Sequence, residues 1–446
     1  MSRDRFMAAG LAGLAVAMLT AGSANGMPMF ARRYGVECSS CHTIIPRLNE
    51  QGMVFRAAGF RMDPKDIGSE DAEINNISAH TSTRLQSRYD ASKTKDPDNP
   101  NPARRSFDNS RFTFLEVTFY PLTGAFMNRY ASEVELSIGP EEPVEIENAW
   151  VRGLMKSGAS GWAHLRAGIF HPFEGYGASD RPITIDRPLI QTTAARFNQN
   201  TFFTPWGFDE AGVEAGYSMS RTFLRATVFN GLTYDPDEAT VHPAQTGASG
   251  NAFAKDQDRP DYHNVDFQAF LTHILADDGG GISLYYYKGA LALPIGGVPD
   301  AGDGYFQDSY YRLAGYGSYP VAKRALLLGG VQYGKDQSYD EALDAYGPKF
   351  SSLGYFGEAD VDLGNSYWLA GRYDWFDPSR GVDNSTLGND KDNQIWAATA
   401  AINKPLWNGF QYIAQYRHRQ TKQGNFTPTR EDKKEDAFQF RLIWIW

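Results

Sequence analysis

Polar and apolar positions alternate one by one through much of the chain after Ile77, in stretches separated by Gly, Pro, Asp and Asn clusters. A period of two sends successive side chains to opposite faces, so each stretch predicts a β-strand with two unlike faces. Tyr355, Gly357, Ala359, Val361 and Leu363 share one face, while Glu358, Asp360 and Asp362 share the other. Tyr367, Leu369, Gly371, Tyr373 and Trp375 alternate with Arg372 and Asp374 in the same way. At the end of the chain Phe438, Phe440, Leu442, Trp444 and Trp446 oppose Gln439 and Arg441. Three carboxylates turned toward a dry core would be ruinous. The apolar face is therefore expected outside, against lipid, and the charged face inside, around a wet lumen.

The pattern predicts about sixteen strands, at 77–89, 111–120, 126–138, 146–155, 162–170, 207–219, 222–230, 262–275, 280–290, 306–319, 324–335, 353–363, 366–376, 392–403, 409–420 and 436–446. An even number suits a closed antiparallel outer-membrane β-barrel. The connections alternate in length. Those at 121–125, 156–161, 220–221, 276–279, 320–323, 364–365 and 404–408 are short. Those at 90–110, 171–206, 231–261, 291–305, 336–352, 377–391 and 421–435 are mostly long, with 139–145 a short member of this second set. Brief periplasmic turns and extended external loops give this asymmetry, and a soluble β-sandwich does not. With both chain ends periplasmic, the first strand runs outward. The alternation is imperfect in 111–120 and 146–155.

Composition narrows the class further. The 446 residues carry 43 Lys plus Arg against 53 Asp plus Glu, a net charge of -10, which is wrong for gripping nucleic acid. A mean hydropathy of -0.46 excludes a bundle of membrane helices. The 24 tyrosines and 44 glycines suit strands, turns and a water–lipid boundary. Arg3 and Arg5 precede an apolar run from Phe6 to Ala21, followed by Gly22, Ser23, Ala24 and Gly26. That is the order of a secretory signal peptide, expected to span 1–26. With no other long apolar run, any membrane crossing falls to strands.

The only two cysteines stand in Cys38-Ser39-Ser40-Cys41-His42. Two thiols three positions apart share one side of a helical turn, where they can add to the two vinyl groups of one haem above the adjacent imidazole. Covalent attachment of a single haem c is the expected chemistry. Zinc would need a second cysteine pair that the chain lacks, and a redox dithiol or a simple disulfide is the competing reading after export. Pro46 is placed to open a helix, Leu48, Gly52 and Phe55 fall on one face, and Gly59 can end it. The Pro46 carbonyl could also accept from the second nitrogen of His42 and fix its tautomer. The expected haem segment covers 27–74 and the barrel 75–446. That segment enters from the periplasmic end and either hangs below the barrel or fills its lumen. For the sixth iron ligand Met62 is favoured over Met53 and His80, and a thioether there would raise the reduction potential.

The stretches Met29-Phe30-Ala31-Arg32, Cys38 through Asn49, Gly52-Met53-Val54-Phe55-Arg56 and Gly59-Phe60 resemble the fused monohaem cytochrome-porins of iron-oxidising bacteria. The specific match covers about the first tenth of the chain, and the barrel matches by layout. The resemblance implies Cys38, Cys41 and His42 as haem-binding positions, extracellular Fe(II) as electron donor and a periplasmic c-type cytochrome or other carrier as acceptor. It supplies no iron site. Loop acids Glu174, Asp180, Asp235, Asp237 and Glu238, with His171 and His242, are candidate iron contacts. Two other classes compete with electron transfer. One is a solute-selective porin with a haem-bearing gate or sensor; the other is a secreted haem enzyme such as a peroxidase.

Overall fold

The computed structural model describes residues 28–68, 77–96, 105–139, 144–158, 161–171, 183–192, 195–197, 200–202, 209–235, 240–243, 265–294, 305–337, 339–340, 345–347, 349–380, 394–406, 409–422 and 433–446. The expected signal peptide, the boundary near residue 74, and Glu174, Asp180, Asp237 and Glu238 lie outside them.

Sixteen antiparallel strands close into a barrel. They are β1 (Ser82–Lys95), β2 (Ser106–Tyr120, resumed at Gly124–Phe126), β3 (Tyr130–Ile138), β4 (Glu145–Ser157), β5 (Gly161–Phe170), β6 (Glu210–Met219), β7 (Thr222–Phe229) and β8 (Asp266–Ala276). The second half comprises β9 (Gly280–Pro294), β10 (Tyr305–Ala322), β11 (Ala325–Asp336), β12 (Phe350–Gly364), β13 (Tyr367–Arg380), β14 (Gln394–Pro405), β15 (Phe410–Lys422) and β16 (Lys433–Ile445). Closure comes from β16 against β1, in a ladder running from Lys434 opposite Lys95 to Ile445 opposite Arg84. Among the described residues no helix is long and apolar enough to cross a membrane.

The two faces divide as their alternation requires. Leu224, Leu284, Leu313, Leu327, Leu363 and Leu369 stand exposed on the outer wall, whereas Arg166, Glu214, Arg312, Asp360, Arg372 and Asp374 are buried on the inner one. A cylinder that shows leucine outward and hides ion pairs is built for a lipid surround. Inner charges are paired across strands: Arg166 reaches Glu214 at 2.7 Å and Arg312 reaches Asp336 at 2.7 Å.

Many strand ends differ from the sequence expectation by several residues, and three of the differences have a clear local reason. The first strand begins at Ser82 because Ile77–Ala79 forms a 3-10 turn. There the carbonyls of Ser78 and Thr81 accept from Arg32 instead of from a strand partner. Pro121–Thr123, read as a turn, is instead a break within β2. The chain resumes in the same direction, and side chains replace the lost ladder: Ser132 Oγ donates to the Leu122 carbonyl and Val134 N–H to Thr123 Oγ1. The actual turn is Met127–Arg129. Finally, 171–206 is not wholly an external loop. Its residues 183–192 fold into the lumen, where Asn403 Nδ2 donates to the Ile183 carbonyl at 3.1 Å and Arg372 Nη1 to Thr184 Oγ1 at 2.7 Å. Gln415 Oε1 accepts from Ile185 N–H at 2.8 Å, and Asp186 pairs with Arg417 at 2.8 Å.

The N-terminal segment fills the lumen at the end closed by short turns, where Gly68 N–H reaches the Asn128 carbonyl and Glu50 N–H the Asp277 carbonyl. Its helices are α1 (Pro28–Tyr34) and α2 (Glu50–Ala57). Phe30, Phe55 and Phe60 cluster with ring centroids 4.9–5.8 Å apart, and Phe60 stacks at 6.0 Å on Trp150 of β4. The wall grips α2 by its exit: Arg152 Nη1 donates to the Arg56 carbonyl at 3.0 Å and Trp162 Nε1 to the Ala57 carbonyl at 3.1 Å. A helix end leaves its last carbonyls without helical donors, and the Arg56 carbonyl also accepts from the Gly59 N–H at 3.2 Å. Gly59, at φ +64°, passes so close to the wall that a Cβ would lie 2.7 Å from Leu154 and 2.9 Å from Ala131. Across the lumen Arg47 sits between Glu358 at 2.9 Å and Asp360 at 2.8 Å on β12.

Replacing Arg47 by Ala strands the buried Asp360 carboxylate, while Glu358 keeps Arg372 at 3.2 Å, an effect of about 3–5 kcal/mol on docking of the segment. Limited proteolysis should then cut within 28–68 while the barrel keeps its heat-modifiable migration on gels. Unchanged protection would show that the ion pairs do not hold the segment.

Candidate functional site

The cysteine motif occupies a short, sharply folded stretch. Cys38–Ser40 form a 3-10 turn closed by the Cys41 N–H donating to the Cys38 carbonyl at 3.1 Å. His42–Ile44 then pairs with Arg47–Leu48 in a two-stranded ribbon. The helix that follows starts at Glu50 and is not opened by Pro46. Asn49 is its cap, accepting from the Gly52 N–H at 3.0 Å. Asn49 N–H donates to the Cys41 carbonyl at 3.0 Å, so the cap also anchors the motif. Gly52 permits a closer approach still: a Cβ there would lie 2.2 Å from the Cys41 carbonyl oxygen. Gly59 follows the helix end, as the sequence indicates.

Pro46 works through its carbonyl. His42 Nδ1 lies 3.1 Å from the Pro46 oxygen, a contact that requires the proton on Nδ1 and leaves the lone pair on Nε2. Burial lowers the imidazole's affinity for a second proton, which keeps the ring neutral. Burial also pushes the Cys38 thiol up to about 11 and raises Cys41. Neutral sulfur is favoured at both places over a free nucleophilic thiolate.

Cys38, Cys41 and His42 line one cavity of about 920 Å³ inside the barrel. That volume lies at the upper end of the range for cofactor pockets. Phe30, Leu48 and Phe55 contribute apolar wall from the N-terminal segment, and Ile413 and Ile443 from the barrel. Thr184, Ile185 and Arg187 of the inserted loop form part of its lining. Ile44, Ile183, Ile185 and Ile413 belong to one buried cluster that ties ribbon, loop and wall together. Two β-bulges adjoin the cavity, one leaving Leu115 without a partner in β1–β2, the other Glu147 in β3–β4. They put the adjacent pairs Leu115–Glu116 and Glu147–Asn148 on its lining. Free thiols, a neutral imidazole with one nitrogen fixed by Pro46, and a chamber that combines apolar wall with charged side chains such as Arg84 and Arg441 all fit a covalently attached haem.

The three candidates for a sixth ligand lie elsewhere. Met53 and Met62 pack on the large core cluster between segment and wall, and the Met62 carbonyl accepts from Gln51 at 2.8 Å. His80 is buried beside Gly124, with its carbonyl accepting from Thr123 at 3.0 Å. None of the three lines the chamber; His171 does, buried just past the end of β5. Thr233 and His242 pair in a small ribbon of Leu232–Asp235 with Thr240–Pro243, which fixes the backbones of Asp235 and His242 only. Among the described residues no group of three or more His, Cys, Asp or Glu is placed to hold a metal ion. The inserted loop was the feature missed by periodicity. Its signal was the apolar sequence Ile183, Ile185, Leu189 and Ile190 inside a stretch otherwise read as solvent-facing.

No family model and no curated protein matches the chain. Among solved structures it is similar to the outer membrane channel DcaP of Acinetobacter baumannii, at 10% identity and a TM-score of 0.52, covering 82% of this chain and 96% of that one. It is also similar to OprB of Pseudomonas putida, at 9% identity, a TM-score of 0.46 and coverages of 82% and 94%. A third is an anion-selective porin of Comamonas acidovorans, at 10% identity, a TM-score of 0.45 and coverages of 82% and 99%. The likeness to the first is one of fold: a porin-type closed barrel.

Gly52→Ala forces the helix away from Cys41, at about 1–3 kcal/mol. Hydrogen exchange across 38–59 should quicken, whereas Gly357→Ala, whose Cβ meets nothing within 4 Å, leaves it unchanged. Equal exchange in both variants would refute the close approach.

Proposed function

We propose that this barrel carries electrons across an outer membrane through one haem c joined to Cys38 and Cys41 and ligated by His42. The observation that supports it best is positional: the attachment motif lies inside a closed barrel, in a chamber bordered by the N-terminal segment, the wall and the inserted loop. Haem supplies a one-electron centre when bound. The chain's own residues orient the imidazole through Pro46, keep both sulfurs uncharged, and hold the segment to the wall through Arg47, Arg152 and Trp162. A protein-lined path through a lipid-facing cylinder then joins two aqueous compartments that the bilayer insulates.

The donor in this reading is extracellular Fe(II), as the cytochrome-porin resemblance implies, and the acceptor is a periplasmic c-type cytochrome or another soluble carrier. An interior haem would leave ferric product outside. The second reading, a solute-selective porin with the N-terminal segment as gate or sensor, draws on the porin-type fold. What favours electron transfer over it is the double filling of the lumen, by 28–68 from one end and 183–192 from the loop side.

Purified protein should carry the added mass of one haem, and stopped-flow mixing of its ferric form with Fe(II) near the native pH should reduce it. His42→Ala should lose the low-spin spectrum and the reaction while the barrel stays heat-modifiable. In planar bilayers the wild type should pass little ionic current. Large, solute-dependent currents from a chain that Fe(II) fails to reduce would establish the porin reading instead.

A further inference from the structure

Two arginines face one another where the haem chamber meets the seam of the barrel. Arg441 of β16 lies directly opposite Arg88 of β1 in the closing ladder, and both line the chamber. Like charges at directly opposed strand positions repel. Two neighbouring cations of this wall are matched. Arg84 holds Glu116 at 2.8 Å and Glu135 at 3.2 Å, and Arg417 holds Asp186 and Glu435 at 2.8 and 2.9 Å. Arg88 has Asp90 at 2.8 Å, two positions along its own strand. Arg441 has no hydrogen bond or ion pair among the described residues, and its Nε is buried without a partner.

The neighbours of Arg441 connect it to the cysteine motif. Ile413 is its cross-strand partner on β15, and Ile443 lies two residues on along β16. Ile413 belongs to the buried cluster containing Ile44, two residues after His42, and Ile443 packs against that cluster. The surplus cation therefore stands beside the ribbon that presents the imidazole. Glu116 and Asp186, the acids nearest at hand, are already engaged by Arg84 with Gln86 and by Arg417 with Gln415.

We infer that Arg441, with Arg88 across the seam, is an anion clamp for a haem propionate. The inference rests on the haem reading and adds the residues that receive the porphyrin's carboxylate edge. A guanidinium pair offers planar, bidentate donors to a carboxylate. One propionate would relieve the repulsion between β1 and β16, so cofactor binding would also reinforce the closing seam. Arg441 and Arg88 are positioning residues here, acting on the cofactor's charge and not on the reacting substrate.

The test uses the full-length, haem-loaded protein in detergent and the variants Arg441→Gln, Arg88→Gln and Arg441→Lys. Loss of a cation beside a propionate favours ferric haem. Either glutamine variant should shift the ferric–ferrous equilibrium by about tenfold, or about 59 mV toward lower potential for one electron. The propionate bending band in resonance Raman spectra should move with it, and Arg441→Lys should retain most of the wild-type potential. Equal haem content with unmoved potential and band in both glutamine variants would overturn the clamp while leaving the haem reading intact. A wild-type chain without haem mass would remove both. If potential and band stay fixed while the anion-to-cation permeability ratio falls in bilayers, the pair serves a solution anion and the propionate assignment is wrong.

Discussion

Charge burial inside the cylinder governs this structure. A wall that shows apolar residues to lipid must turn its other positions inward, and many of those are ionisable. Cross-strand pairs such as Arg312 with Asp336 neutralise part of the set. Glu358 and Asp360 are both buried on β12, where adjacent inward positions carry the same sign. Arg372 of β13 answers Glu358 at 3.2 Å, Arg47 of the N-terminal segment adds the cation that Asp360 needs, and the wall donates from Arg152 and Trp162 to the carbonyls at the end of α2. Asp360 finds its cation, and the Ala57 carbonyl its donor, across the contact between the two parts, which favours seating the segment inside the barrel.

Much of the barrel was legible because one face is buried everywhere, and a period of two cannot slip without turning charges toward lipid. The alternation at Glu358 and Asp360 marks the inner face in the sequence and in the structure alike. Strand starts and stops were less legible. Ser82 begins β1 because Arg32 captures the preceding carbonyls, a contact across 46 residues that no local window contains. Pro121 resembles a turn residue, yet Thr123 and Ser132 repair the ladder across it. In the candidate site, the closeness of Cys38, Cys41 and His42 and the Pro46 carbonyl contact could be read from spacing. Which side chains besides His42 face the chamber could not, because that depends on how the segment rotates within the lumen. Met62 turns to the aromatic core, while His171 comes to the chamber from the far end of β5.

The irregular strands carry information of their own. The two stretches with imperfect alternation, 111–120 and 146–155, contain the bulges at Leu115 and Glu147. Both bulges border the chamber. An extra residue in one strand presents two neighbours to the same side and bends the wall. Regular pleating serves the lipid contact, and its local failure shapes the inside.

Covalent continuity sets how far the N-terminal segment could ever travel. Its final described bond to the wall is Gly68 N–H to the Asn128 carbonyl at 2.7 Å, and eight residues, 69–76, separate Gly68 from Ile77. Fully stretched, such a leash reaches about 30 Å. A segment shaken loose would stay near the mouth at an effective concentration on the order of millimolar. Rebinding is thus a first-order return, whose rate is independent of how dilute the protein is in its membrane.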